Sequence, residues 1–186
     1  TKLQMKPFKF KEFTVNQDQC AMKIGTDGVL LGAWASLSNE PNSILDIGTG
    51  TGIIALQLAQ RSHAELIDAI EINNNAFEQA VQNFENSPWG DRLYCYNATF
   101  QEFATEMADE DETYNLIVSN PPFYNSTYKK LDKERALARH SESLSYSNLL
   151  DLKSFAKDIE IKMDSLTQSQ QAYDIELGIK DDKIWL

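Results

Sequence analysis

Ser43-Ile44-Leu45-Asp46-Ile47-Gly48-Thr49-Gly50-Thr51-Gly52-Ile53-Ile54-Ala55-Leu56 is the stretch that decides the fold. Its first five residues carry Ile44, Leu45 and Ile47 and predict a short buried strand. Residues 48–52 form a glycine-rich turn. Residues 53–60 place Ile53, Ile54, Leu56, Leu58 and Ala59 in a compact helical pattern. Strand, glycine turn and helix in that order open a βαβ unit, in which ligands bind at the carboxyl ends of parallel strands.

The same alternation continues outward. Leu66-Ile67-Asp68-Ala69-Ile70-Glu71 predicts a second strand, and residues 73–86 a second helix with an Asn cap. Arg92-Leu93-Tyr94-Cys95-Tyr96 predicts a third strand, followed by a polar helix near residues 100–107. Tyr114-Asn115-Leu116-Ile117-Val118-Ser119 predicts a fourth. It stops at Asn120-Pro121-Pro122-Phe123 because proline cannot donate to a ladder. Residues 143–155 look helical. Residues 158–163 and 173–179 alternate like strands, and residues 183–186 are expected to pair back across the Asp181-Asp182 turn. Before residue 43 lie a basic extended lead-in and a helix over 26–37.

Strands alternating with helices predict an α/β fold, a mostly parallel twisted sheet with helices on both faces. The expected organisation is one domain over 1–186. Residues 1–40 are its lead-in and helix, and 41–153 its cofactor-binding and catalytic core. Residues 154–186 are a C-terminal part that lacks a glycine-bearing turn into a fifth strand, so stretches of the natural chain are expected to be missing there or rebuilt. No internal repeat or low-complexity tract occurs.

At 186 residues and 42% hydrophobic composition, the chain is long enough for one sizeable core. No apolar run approaches the ~18–20 residues of a membrane span. The first residues lack the apolar stretch of a secretory signal, so a cytoplasmic location is expected. Cys20 and Cys95 form no metal-spaced pair, and both are read as small buried thiols in a reducing compartment with no metal site. A net charge of −11 excludes a protein that coats nucleic acid non-specifically. Charge is uneven, however. Lys2, Lys6, Lys9, Lys11 and Lys23 face only Glu12 and Asp18 near the start. Lys129, Lys130, Lys133, Arg135 and Arg139 face only Asp132 and Glu134 further on. These two basic islands are either solvated surface or local phosphate contacts.

The turn Gly48-Thr49-Gly50-Thr51-Gly52 has G-x-G-x-G spacing, unlike the G-x-G-x-x-G that seats a pyrophosphate. Glycines there let the backbone come close to a ligand. Glu71, at the carboxyl end of the second strand, can accept both ribose hydroxyls of an adenosine-containing cofactor. Asp46 can sit beside an ammonium group or order water near it, and its charge suits a cationic ligand better than a diphosphate. The alternative is a structural turn with Glu71 as a solvated strand end.

Asn120-Pro121-Pro122-Phe123 closes the fourth strand and so shares a sheet edge with the glycine turn. The exocyclic amine of adenine is a poor nucleophile because its lone pair is delocalised into the ring. The Asn120 side chain and the Pro121 carbonyl can accept both N–H bonds and free that lone pair to attack a sulfonium methyl in line. Pro121 and Pro122 stiffen the acceptors, and Phe123 offers a face for base stacking worth ~1–3 kcal/mol. No tuned general base is required, since the alkylated nitrogen sheds its proton readily, and positioning carries the rate. The alternative is a strand terminator followed by a loop.

Residues 46–52 and 120–123 together resemble the two motifs of the class I (Rossmann-like) S-adenosylmethionine-dependent methyltransferases that act on amino groups. Two more segments narrow the resemblance. Phe10-Lys11-Glu12-Phe13-Thr14-Val15 with Cys20-Ala21-Met22-Lys23-Ile24-Gly25-Thr26-Asp27-Gly28-Val29-Leu30-Leu31-Gly32-Ala33-Trp34 is similar to the N-terminal signature of the bacterial tRNA1(Val) adenine-N6-methyltransferase family. Arg135-Ala136-Leu137-Ala138-Arg139-His140 is similar to the segment that family carries after its Asn-Pro-Pro-Phe motif. The resemblance covers roughly residues 8–150. It implies an enzyme of tRNA modification that uses S-adenosylmethionine and methylates the adenosine 3′ of the anticodon in a valine tRNA.

By that resemblance Lys23, Gly25 and Thr26 cover the cofactor, with Asp46, Gly48, Thr49, Gly50, Gly52, Glu71 and Asn120 around it. Asn97 stands where many relatives carry an acidic residue near the cofactor adenine, and its carbonyl oxygen can still accept from the adenine amine. A splayed anticodon-loop base would stack on Phe123, while Lys9, Lys11, Arg135 and Arg139 contact phosphates. His140 either orients RNA or is a helix-capping or surface residue. The partner expected is tRNA, with no membrane and no obligate protein partner. Three other functions compete: methylation of a protein glutamine, guanine-N2 methylation of rRNA, and a non-catalytic scaffold that keeps the cofactor pocket.

Overall fold

A computed structural model describes residues 6–110 and 113–120, together with the backbone of two strands at 159–162 and 182–185. The glycine turn is the hinge of the architecture. β3 (Ser43–Ile47) enters it and α2 (Ile53–Arg61) leaves it. β4 (Leu66–Ile70), α3 (Asn74–Glu85), β5 (Leu93–Tyr96), α4 (Phe100–Asp109) and β6 (Leu116–Ser119) follow. Each matches an expected element to within two residues at either end. Before β3 come β1 (Phe8–Lys9), β2 (Thr14–Val15) and α1 (Thr26–Trp34). The last two strands are β7 (Ile159–Lys162) and β8 (Asp182–Trp185).

The main sheet has the order β5-β4-β3-β6-β8-β7, and every pairing in it is parallel. The order reverses between β3 and β6, the switch point at which an open α/β sheet leaves a crevice for a ligand. Strand alternation sorts the two faces. Ile44, Ile67, Ala69, Leu93, Leu116 and Val118 join Ile54, Leu56 and Leu58 of α2 in one core. On the opposite face, Phe103 of α4 packs 5.3 Å from Tyr96 and 6.4 Å from Tyr114, and the Tyr114 hydroxyl donates to Asp68. Helices therefore cover both faces, as expected.

The helix ends show why the elements stop where they do. Asn73 accepts from the Ala76 N–H at the start of α3, as the cap signal predicts. Thr99 and Glu102 form a capping box on α4. Arg61, at the end of α2, donates to the Gly32 and Ala35 carbonyls and closes α1. That helix ends at Trp34, short of the expected residue 37. Arg92 likewise donates to the carbonyls of Ala59, Ser62 and Ala64 and closes α2.

Two expectations are corrected. The lead-in is not merely extended: β1 and β2 pair antiparallel, Phe8 with Val15 and Lys9 with Thr14. The final strand does not fold back across the Asp181-Asp182 turn. β8 lies between β6 and β7 and runs parallel to both, Ile117 opposite Ile184 and Ile161 opposite Ile184. Alternation along a strand reports its two faces and is silent on the direction of its neighbour. The proposed strand at 173–179 and helix at 143–155 lie outside the described residues. No helix among the described residues is long and apolar enough to cross a membrane.

Candidate active site

The glycine turn folds over the end of β4. The N–H groups of Gly48 and Thr49 both donate to the Ile70 carbonyl, at 2.9 and 3.1 Å. Gly48, Gly50 and Gly52 all have positive φ (73°, 58° and 81°), where a side chain is strained. A Cβ on Gly48 or Gly50 would meet nothing within 4 Å, so these two glycines border open space. Gly52 is constrained differently. A Cβ there would lie 2.5 Å from the Phe84 ring, so Gly52 is the packing contact between the turn and α3.

Asp46 lies under the turn and is fully buried. Its Oδ2 accepts from the Thr49 hydroxyl at 2.6 Å and from the Ala55 N–H at 3.3 Å, which ties the turn to the first turn of α2. Its Oδ1 has no hydrogen-bond partner among the described residues. Burial pushes its carboxyl from 3.8 up to about 7, against the lowering effect of those two donors. A buried, half-satisfied carboxylate beside an open glycine turn suits a cationic ligand.

Glu71 follows β4 directly, with its N–H donating to the Tyr96 carbonyl. Each carboxylate oxygen takes one backbone N–H, Oε2 from Gly50 at 2.9 Å and Oε1 from Asn73 at 2.8 Å. Burial raises its pKa, and the backbone N–H groups of Asn73, Gly50 and Ile72 partly offset the rise. Both oxygens keep a lone pair for vicinal hydroxyls. The Asn97 amide donates to the carbonyls of Glu71 at 2.8 Å and Ile72 at 3.2 Å. With its N–H groups so engaged, its carbonyl oxygen is the end left to accept.

Asn120 stands one residue beyond β6. Ile47 is registered with Ser119 on neighbouring parallel strands, so Gly48 and Asn120 each follow a paired residue at the same edge of the sheet. The Ser119 hydroxyl donates to the Ile47 carbonyl at 2.9 Å and latches that last pair. The Asn120 amide nitrogen lies 3.5 Å from where a Gly28 Cβ would sit, so α1 backs it. Pro121, Pro122, Phe123, Arg135, Arg139 and His140 lie outside the described residues.

The lead-in reaches the same edge. Lys23, Gly25 and Thr26 are exposed at the start of α1, with Gly25 as its N-cap. The Lys23 ammonium donates to the Gln17 and Cys20 carbonyls, so it braces its own loop. Cys20 is buried, and its thiol is raised to about 12, chiefly by burial and next by the charge of Glu71. Cys95, half-buried and not fully so as expected, is raised to about 12 for the same leading reason. Lys9 and Lys11 do not join this cluster. They sit on the β1–β2 hairpin, where Phe13 packs 5.6 Å from Trp89 beyond the C-terminal end of α3. Glu71 lies at the other end of that helix, whose length is ~18 Å.

Sequence reasoning missed Asn83 and Gln79 of α3, both 1% exposed and both bonded to the lead-in. The signal was present: they sit four apart, on the stripe that also carries Ala76, Ala80 and Phe84. No group of three or more His, Cys, Asp or Glu able to hold a metal occurs among the described residues.

The chain is similar to known proteins in sequence and in fold. The model of the methyltransferase small domain matches residues 26–146. A protein of Christiangramia forsetii named tRNA1(Val) (adenine(37)-N6)-methyltransferase is 67% identical over 144 residues, covering 77% of this chain and 60% of its own length. A protein of Flavobacterium johnsoniae with the same name is 59% identical over the same coverage. The chain thus spans about 60% of the length of the curated relatives it matches. Among solved structures, the SAM-dependent methyltransferase from Agrobacterium tumefaciens superposes with a TM-score of 0.55 at 16% identity, over 66% of this chain and 41% of that one, and shares the fold. The family match takes in the glycine turn, Glu71 and Asn120 and runs over more than half of the sequence, and the chain belongs to the methyltransferase small domain family.

Proposed function

We propose that this chain transfers a methyl group from S-adenosylmethionine to N6 of an adenosine in tRNA, at position 37 of a valine tRNA. One observation carries the reading: the cofactor-type turn of β3 and Asn120 of β6 emerge side by side at the switch point of the sheet. The named relatives supply the substrate. The proposal extends to a single cytoplasmic domain that acts without an obligate protein partner.

The residues fit the cofactor on this structure's own terms. Open space beside Gly48 and Gly50 admits the ligand, Glu71 can receive ribose hydroxyls, and the unpartnered Asp46 oxygen places negative charge under a cationic group. When bound, the cofactor supplies an electrophilic methyl on a positively charged sulfur. Asn120 accepts an N–H of the adenine amine through its side-chain oxygen and turns the nitrogen lone pair toward that methyl. With Asn120 holding the amine, methyl transfer would leave a cationic nitrogen whose proton is acidic enough to go to water, so no general base is needed from the chain. Asn97 holds the adenine end of the cofactor, and Lys23, Gly25 and Thr26 close over it. Phe123 would stack the target base and Arg135, Arg139 and His140 hold the RNA around it, while Lys9 and Lys11, on the hairpin beyond the far end of α3, would contact phosphates farther along the RNA.

The test is incubation with methyl-labelled cofactor and either unmodified valine tRNA or a release factor. Label recovered as N6-methyladenosine supports the proposal. Label on the release factor glutamine instead overturns the substrate class, and label on neither overturns the transfer itself.

A further inference from the structure

The segment 16–25 pairs with no strand among the described residues, yet its backbone is held. Asn83 presents its amide to Asn16 as a neighbouring peptide would. Its Oδ1 accepts from the Asn16 N–H at 2.8 Å, and its Nδ2 donates to the Asn16 carbonyl at 2.9 Å. The second hydrogen of the same nitrogen goes to the Thr51 carbonyl at 2.8 Å, inside the glycine turn. One buried side chain therefore ties the lead-in to the cofactor loop. One helical turn earlier, Gln79 accepts from the Gln19 N–H at 2.9 Å. Within the segment, Gln17 accepts from the Ile24 N–H, and Lys23 spans back to Gln17 and Cys20.

A polar amide buried to 1% exposure on a helix is costly unless fully bonded. Here its bonds go to two backbone segments and to no neighbour on its own helix. Those segments lead directly to Gly25 at one end and Gly52 at the other. We propose that Asn83 and Gln79 are positioning residues that lock residues 16–25 onto the end of the glycine turn, so that the wall and the floor of the cofactor site move as one body. The proposal rests on the reading of that site as the S-adenosylmethionine pocket.

An aspartate at 83 would still accept from Asn16 but would face the Asn16 and Thr51 carbonyls with a lone pair. A leucine fills similar volume and bonds to neither. The experiment titrates S-adenosylhomocysteine by calorimetry into the wild type, Asn83→Leu and Gln79→Met, with hydrogen exchange on the same samples. Each variant is expected to bind at least fivefold more weakly. Exchange at 16–25 should quicken while β3, β4 and β6 keep their protection, and the loss in turnover should appear in KM for the cofactor more than in kcat. Unchanged affinity with quickened exchange at 16–25 overturns the proposal, and so does an affinity loss that tracks loosening of the sheet. Should Asn83→Leu not fold, Gln79→Met removes one bond to the lead-in and a long one to Gln82, and carries the same two outcomes. A wild type that binds no S-adenosylhomocysteine overturns the cofactor reading and this proposal with it.

Discussion

The hydroxyl of Ser119 donates to the carbonyl of Ile47 at 2.9 Å, joining the last registered pair of the two central strands directly beneath Asn120 and Gly48. The bond sets how far apart the two loops leave the sheet. Ser119→Ala is expected to cost about 1 kcal/mol in urea unfolding. The methyl-transfer rate should fall by more than that stability loss accounts for, with cofactor affinity nearly intact. A rate equal to that of the wild type would show that the latch has no part in spacing the loops.

Gly52→Ala should destabilise the fold most among the three glycines of the turn. The φ of 81° costs a side chain about 1–2 kcal/mol, and crowding against Phe84 adds about 1–3 kcal/mol, so a destabilisation of about 2–5 kcal/mol is expected. Gly48→Ala and Gly50→Ala carry the strain without the clash. They should unfold closer to the wild type yet bind the cofactor poorly, because their Cβ enters the ligand's space. Chemical denaturation with calorimetry on the three variants checks this ordering.

The central turn was legible because each signal was local. Residues 43–47 hold Ile44, Leu45 and Ile47 in a short strand buried along most of its length, and three spaced glycines mark where φ turns positive. Asn73 announced the start of α3 by its chemistry alone. The β1–β2 hairpin was not legible, since two-residue strands carry no period. In sequence the place of Asn83 and Gln79 on the apolar stripe marks them as buried, but a polar side chain shows no sign there of which backbone it will meet. Asn120 could be placed at the right edge, but its backing by Gly28 depends on how α1 crosses α2, a tertiary matter.

Gly28 makes that backing testable. A methyl at this position would sit 3.5 Å from the Asn120 amide nitrogen and 3.6 Å from Ile53, ordinary contact distances. Gly28→Ala should therefore keep activity within about threefold, roughly the 0.6 kcal/mol scale of thermal energy. Gly28→Val has no such room and should lower kcat at least tenfold while the protein stays folded. Equal activity in the two variants would separate α1 from the catalytic corner.

Asp46 should give stability a pH signature. Its carboxyl is raised from 3.8 to about 7 by burial, so between those values the folded state holds a proton that the unfolded chain releases. The stability so gained is complete below pH 3.8 and is lost as pH climbs through 7. Asp46→Asn removes this slope, leaving the smaller contribution of the same sign from Glu71. Unfolding free energies measured from pH 4 to 8 in the two proteins should converge at the acidic end and part at the alkaline end, with the variant the more stable there.

Glu71→Gln replaces a carboxylate that takes one N–H on each oxygen with an amide whose nitrogen must face a donor. Binding of S-adenosylhomocysteine is expected to weaken at least tenfold, about 1.4 kcal/mol. Both the ribose contacts and the set of the Gly50 peptide are disturbed. Affinity within twofold of the wild type would remove Glu71 from the pocket.

Asn120→Ala bears most directly on the division of labour between the two edges of the switch point. The single-turnover rate of methyl transfer and the calorimetric affinity for S-adenosylhomocysteine would be taken on one preparation. The rate is expected to fall at least a hundredfold, about 2.7 kcal/mol of lost transition-state stabilisation, with affinity within threefold of the wild type. Rate and affinity falling together would contradict this division, by assigning Asn120 to the pocket or the fold and leaving the amine without its acceptor.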